Sequence, residues 1–120
     1  MSEAEIKTYL KENGYPEHLI KGGKKGILAT YEKFVSAVEA GYSLNLEDYR
    51  NDLDLRALIS RLGLQADVEE IDRRFRACLL FAEDSLWECE DNPDAFWLYA
   101  YPKNAKGDLL EDLRNEGFVD

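Results

Sequence analysis

The chain has 120 residues, of which 45% are hydrophobic and 33% charged, a composition typical of a globular protein and not of a disordered one. This length predicts a single domain over residues 1–120 with one hydrophobic core. The formal net charge of −10 repels nucleic acid and anionic membranes and attracts basic proteins. We therefore expect no nucleic-acid partner and no membrane partner.

The first third of the chain predicts helices that are separated by glycines. Ser2 and Glu5 have the spacing of a capping box, which opens the first helix. A short helix is predicted over 17–21, and the basic stretch 21–26 (KGGKKG) is predicted to be a flexible loop. A longer helix follows over 27–40, because its apolar residues recur at steps of three and four.

Two further helices are predicted next in the chain. Asn45 is typical of the N-cap of a short helix over 46–50. A second helix is predicted over 52–62, because the apolar residues change helix face between the two stretches. Gly63 and Leu64 then have the pattern of a Schellman motif, which ends the second helix.

The stretch 67–84 predicts the helix around which the other elements pack. Its apolar residues repeat with the period of one helix face: Val68, Ile71, Phe75, Cys78, Leu79 and Ala82. Residues 77–82 are apolar all round, which is typical of a helix buried on several sides. Three acid–base pairs at i, i+4 spacing are assigned to an exposed face: Glu69–Arg73, Glu70–Arg74 and Asp72–Arg76. The predicted fold class is mainly α, a compact multi-helix domain around this central helix.

The stretch 86–101 has two interpretations. Asn92 as an N-cap and Pro93 in a first turn favour a short helix that runs to Tyr101. Alternation of apolar and polar residues instead indicates a β-hairpin with its turn at 92–95. The hairpin would make the fold α+β. In either case a last helix is predicted near the C-terminus.

No motif in the sequence indicates catalysis. The chain has one histidine, His18, and its two cysteines, Cys78 and Cys89, are not in a CxxC arrangement. Hydrolase, metalloprotease and calcium-loop patterns are missing as well. We therefore predict no enzyme activity, no catalytic residue, no metal and no cofactor. The two cysteines form no disulfide framework and the first residues form no signal-peptide pattern, which predicts a cytoplasmic protein.

The most distinctive feature is a run without lysine or arginine from Ala77 to Pro102. This run, over residues 77–102, contains six acids and is here called the acidic aromatic segment. The candidate partner-binding residues are these acids and the two tryptophans: Glu83, Asp84, Trp87, Glu88, Glu90, Asp91, Asp94 and Trp97. Aromatic side chains surrounded by one sign of charge are typical of a protein–protein interface. The competing interpretation is that the aromatic residues are core and the acids only cover them.

These residues predict a small acidic protein-binding module with a basic protein partner. An inhibitor or an immunity-type protein that neutralises a basic toxin or nuclease fits this chemistry. The sequence does not indicate an oligomeric state.

The basic stretch 21–26 indicates an alternative function, that of an anion- or nucleotide-responsive regulator. Its glycines allow backbone amides to face an anion at the N-terminus of the next helix. Lys21, Lys24 and Lys25 would neutralise that anion. The stretch is not a Walker A loop, because no Gly-Lys-Ser/Thr follows the spacer.

Overall fold

The computed structural model describes residues 2–81 and 100–118, and over these residues the protein is mainly α, as predicted. Its elements are five α-helices and two short strands: α1 (Glu3–Glu12), α2 (Glu17–Gly41), α3 (Leu46–Arg61), α4 (Glu69–Ala77), β1 (Leu79–Phe81), β2 (Ala100–Pro102) and α5 (Gly107–Asn115). A short 3-10 helix over Gln65–Val68 leads into α4. None of the helices in the described ranges is both long and apolar enough to cross a membrane.

Several helix ends have the caps that the sequence predicts. The Ser2 hydroxyl accepts a hydrogen bond from the Glu5 amide at 3.2 Å, and the Glu5 carboxylate accepts one from the Ser2 amide at 3.1 Å. The Asn45 side chain accepts a backbone amide of the first turn of α3 at 2.8 Å. Gly63 adopts a φ of 71°, and the Leu64 amide donates to a carbonyl of the last turn of α3. These caps were predictable because each depends on residues close together in the chain.

Helices α2 and α3 are each longer than predicted. The stretch 21–26 is helical and not a loop, apart from Gly23, whose φ of 57° and ψ of −148° kink α2. The predicted break between 46–50 and 52–62 is wrong, because α3 is one helix. It packs against both α2 and α5, so it buries two faces. A change of apolar face therefore does not mark a helix end here.

The predicted central helix over 67–84 is wrong over residues 78–81, because α4 ends at Ala77, and residues 82–84 lie outside the described residues. The apolar residues 79–81 form β1, which pairs antiparallel with β2 and places Leu79 opposite Pro102. A short run of apolar residues suits a buried strand as well as a buried helix, so periodicity alone could not decide between them.

Residues 86–99 lie outside the described residues, so neither interpretation of that stretch is tested there. Ala100 and Tyr101 belong to β2, and the predicted short helix therefore does not reach Tyr101. The partner of β2 is Leu79–Phe81, which precedes the predicted hairpin.

The hydrophobic core is formed largely by the long helix α2 and the elements that pack on it. The buried apolar residues of α2 are Ile27, Tyr31, Phe34, Val35 and Val38. At its centre the Phe34 ring lies 5.4 Å from the Phe75 ring of α4 and 5.9 Å from the Tyr49 ring of α3. Helix α1 packs on α2, and α5 packs on α3. The core therefore includes side chains from all five helices.

Candidate functional site

Arg56 in α3 is the one fully buried charged residue of the described part of the chain. Its guanidinium forms a two-point ion pair with Asp72 of α4, with Nε–Oδ1 at 2.9 Å and Nη2–Oδ2 at 2.8 Å. A third nitrogen, Nη1, donates to the Ser60 hydroxyl at 2.6 Å. The Tyr31 hydroxyl of α2 donates to Asp72 Oδ1, also at 2.6 Å. The cluster thus joins α2, α3 and α4.

This buried cluster is suited to stabilising the fold and not to contacting a ligand. Arg56 has no exposed surface, so a ligand could reach it only if helices α3 and α4 separated. Burial and the hydrogen bond to Asp72 raise the pKa of Tyr31 far above its usual value, which keeps its hydroxyl a neutral donor. The attraction between Arg56 and Asp72 offsets the free-energy cost of removing each charge from water. A buried charge without a partner would bear that cost in full.

This ion pair was not predicted, because the i, i+4 spacing of Asp72 and Arg76 assigned Asp72 to an exposed face. A signal was present in the helical spacing. Arg56 is three residues from both Leu53 and Ile59, so it lies on their buried face. Asp72 precedes the buried Phe75 by three residues. Opposite charges on the apolar faces of two helices indicate a buried pair.

Two arginines of α4, Arg73 and Arg74, pair differently from the predicted i, i+4 pattern. Arg74 reaches across to α2, where it contacts Glu39 at 2.6 Å and Glu32 at 3.5 Å. Arg73 pairs with Glu70 at i, i+3 spacing, with 3.0 Å between the charged atoms. These pairs are at least partly exposed to solvent, so each contributes little to stability.

The lysines predicted to bind an anion lie on α2 beside its kink. Lys21 and Lys25 are exposed, and Lys24 is half-buried. The backbone amide of Lys24, the first after the kink, donates to the Glu3 carboxylate at 3.0 Å. The Lys24 ammonium lies 3.4 Å from the carboxylate of Asp67. Carboxylates of the protein itself thus contact both the amide and the ammonium group that the anion hypothesis assigns to a ligand.

Charge is unevenly distributed over the helices. Residues 3–41, which include α1 and α2, contain six lysines and six acids and are balanced. Residues 46–54 at the start of α3 contain four acids and one arginine, a net charge of −3. Residues 107–116 of α5 also contain four acids and one arginine, again −3. Because α3 packs against α5, these negative charges lie on neighbouring elements.

An open groove of about 530 Å³ lies between the N-terminus of α3 and the end of α5. We call it the α3–α5 groove, and its lining residues are Leu46, Glu47, Arg50, Asn51, Asp112 and Glu116. Asp112 is held in place because its carboxylate accepts the Leu46 amide at 3.0 Å. The side chains of Glu47 and Glu116 are exposed. The groove is therefore a negatively charged concave surface.

Tyr101, which is half-buried, and Phe118, which is exposed, form a second surface feature, here called the aromatic stack. Their ring centroids are 4.6 Å apart, and the ring planes are inclined by 20°. Tyr101 lies in β2, opposite Leu80 of β1. The amide of Phe118 donates to the Leu113 carbonyl at 2.9 Å, which closes a Schellman motif after α5. The backbone is therefore fixed at both rings.

The eight predicted partner-binding residues lie outside the described residues: Glu83, Asp84, Trp87, Glu88, Glu90, Asp91, Asp94 and Trp97. The β1–β2 pairing places Phe81 opposite Ala100, so the two described residues that flank residues 82–99 meet at one place. Tyr101 of the aromatic stack directly follows Ala100, which puts the stack beside that place.

Cys78 and His18 have no surroundings that indicate chemistry. The Cys78 thiol is half-buried and donates to the Arg74 carbonyl at 3.3 Å, and burial raises the pKa of Cys78. A raised pKa reduces the thiolate fraction and hence the reactivity of the thiol. His18 is exposed in the first turn of α2. Across residues 2–81 and 100–118, no three histidine, cysteine, aspartate or glutamate side chains lie close enough together to hold a metal ion.

A function for this chain has to be inferred from its own residues. Comparisons with protein-family models, with curated proteins and with solved structures find no match.

Proposed function

We propose that the protein is a non-enzymatic, acidic binding module whose partner is a basic protein. The observation that supports this proposal is the uneven distribution of charge along the chain and among the helices. Six acids and no basic residue lie in the acidic aromatic segment, so the other 19 acids and 15 basic residues leave only −4 on the rest of the chain. The start of α3 and α5 add a second negative region, while α1 and α2 are balanced.

Such a charge distribution favours rapid encounter with a basic protein. Complementary potentials raise the association rate by about 10- to 1,000-fold at low salt, and the effect falls as ions screen it. At physiological ionic strength the screening length is about 8 Å, so the acids must come close to the partner to act. Trp87 and Trp97 would supply the apolar contacts that slow dissociation.

An inhibitor or immunity-type protein that neutralises a basic toxin or nuclease is the class that this proposal favours. A compact acidic domain can cover a basic active-site surface without any chemistry of its own. The proposal includes a cytoplasmic location, which the free thiol of Cys78 supports.

The alternative prediction, an anion- or nucleotide-responsive regulator, has less support. A ligand at Lys24 would have to displace Glu3, which is already 3.0 Å from the Lys24 amide. The fold holds Glu3 at this position, so an external anion competes against a high effective concentration. Stabilisation of the wild-type protein by millimolar phosphate would favour this alternative.

Affinity capture from native cytosol tests the proposal. Three immobilised baits are compared. They are the wild type, a variant with Glu88→Gln, Glu90→Gln and Asp91→Asn, and a control with Glu12→Gln and Glu17→Gln in helices α1 and α2, whose charges are balanced. We expect the wild type and the control to retain a basic protein that elutes as salt rises. We expect the triple variant to retain much less of it, because fewer charges attract it. Equal retention by all three baits, or retention of only acidic proteins, would contradict the proposal.

A further inference from the structure

The aromatic stack of Tyr101 and Phe118 leaves apolar ring surface exposed to solvent. Phe118 is 46% exposed, and only one other large apolar side chain of the described residues, Leu44, is comparably exposed. An exposed phenylalanine leaves apolar surface in water that folding normally removes. Unlike Leu44, Phe118 is paired with a second ring, so the exposed surface is part of a two-ring platform.

The platform is already ordered before any partner arrives. The β1–β2 pairing holds the backbone of Tyr101, and the backbone N–H of Phe118 donates a hydrogen bond to the Leu113 carbonyl. The rings lie in near-parallel contact, with 4.6 Å between their centroids. A binding partner therefore does not need to order these side chains, and this lowers the entropic cost of using them.

The charged residues close in the chain to the platform are of both signs. Glu116, two residues before Phe118, is exposed and lines the negatively charged α3–α5 groove. Basic groups are also close in the chain: Lys103 follows Tyr101 by two residues, and Arg114 lies in the last turn of α5. Net charge alone therefore does not draw a cation to the platform. A cationic ligand needs a further favourable contact, and stacking on an aromatic ring supplies one.

We infer that the aromatic stack is a docking point for an arginine side chain of the basic partner. A guanidinium is planar and weakly hydrated, so it stacks on the exposed face of Phe118 while its N–H groups reach acids such as Glu116. A lysine ammonium is compact and strongly hydrated and gains less from the ring. This inference rests on the proposed function, because it specifies which basic side chain of the partner contacts the stack.

Binding of oligo-arginine and oligo-lysine peptides of equal length tests the inference, with dissociation constants measured at several salt concentrations. We expect the wild type to bind oligo-arginine about two- to fivefold more tightly than oligo-lysine, the factor that one exposed cation–π contact supplies. In Phe118→Leu this preference should fall, while oligo-lysine binding stays unchanged. Phe118→Tyr should keep the preference, since the ring remains. Leu44→Ala, at the other exposed apolar residue, should keep it as well.

The outcomes separate the inference from the proposed function. Arginine can also form two-point contacts with carboxylates, so a preference that persists in Phe118→Leu would place its origin elsewhere and overturn the inference. Equal, salt-sensitive binding of both peptides to the wild type would also overturn it, yet leave the acidic binding module standing. Failure of both peptides to bind at low salt would contradict both proposals.

Discussion

Replacement of Asp72 by asparagine is expected to lower the free energy of unfolding by about 3–5 kcal/mol. The change keeps the side-chain shape but removes the charge that faces the Arg56 guanidinium at 2.8 Å and 2.9 Å. Arg56 is fully buried, so its positive charge would be left in the interior without its carboxylate partner. Urea denaturation of the two proteins, followed by circular dichroism, measures the difference.

Asp67→Asn is the matched control, because it removes the same charge from an exposed ion pair. Asp67 and Lys24 are 3.4 Å apart, and their side chains are 41% and 39% exposed. Exposed pairs contribute little, so we expect a loss below about 1 kcal/mol. A loss for Asp72→Asn no larger than that for Asp67→Asn would show that the Arg56–Asp72 pair does not stabilise the fold as described.

Gly23→Ala is expected to lower the free energy of unfolding by about 2–4 kcal/mol. Gly23 has a φ of 57° and a ψ of −148°, a conformation that is essentially confined to glycine. An alanine Cβ at this position would also overlap the Glu3 carboxylate that accepts the Lys24 amide. The substitution therefore strains the kink of α2 and breaks the contact that joins α1 to it. Thermal and urea unfolding both report this loss.

The neighbouring substitution Gly22→Ala provides the comparison. Gly22 does not have a positive φ, and beyond its chain neighbours and the nearby helix backbone no atom lies within 4 Å of the place where a Cβ would be added. Alanine is favoured over glycine within a helix, so we expect stability to rise by about 0.5–1 kcal/mol. If the two substitutions changed stability equally, the kink would have no special role.

The features that the sequence predicts well are those that depend on near neighbours. The capping box of Ser2 and Glu5, the Asn45 cap and the Gly63 ending all involve residues within one or two turns of each other. The mainly α fold follows from the same local signals, because helical periodicity is strong in most of the chain.

The features that were missed depend on contacts distant in sequence. Arg56 and Asp72 lie on different helices, and periodicity marks which face each occupies but not which partner it meets. The strand at 79–81 is stabilised by pairing with β2, which follows much later in the chain. At the Gly23 kink, the Glu3 carboxylate of α1 accepts a hydrogen bond from the backbone amide of Lys24. The composition of the basic stretch 21–26 does not predict this contact, because Glu3 lies 21 residues before Lys24 in the chain.

The candidate site was predictable only in part for the same reason. Composition identified the acidic aromatic segment, since charge and aromatic content are read directly from the chain. The α3–α5 groove and the aromatic stack each require two separated elements to meet. Glu47 and Glu116 are ordinary surface acids in the sequence, and only the packing of α3 on α5 brings them to one groove.

The most direct test of the acidic binding module is the association rate of the captured basic protein, measured by stopped-flow against ionic strength. Two double variants are compared with the wild type. The first is Glu47→Gln with Glu116→Gln, and the control is Glu17→Gln with Glu12→Gln. Glu47 and Glu17 each lie in the first turn of a helix, and Glu116 and Glu12 each lie at a helix C-terminus, all four being exposed.

We expect the wild-type association rate to fall as salt rises, because screening weakens long-range attraction. The groove variant should associate several-fold more slowly at low salt and respond less to salt, whereas the control variant should match the wild type. An association rate that does not depend on ionic strength, or equal slowing in both double variants, would contradict the claim that this acidic surface recognises a basic protein.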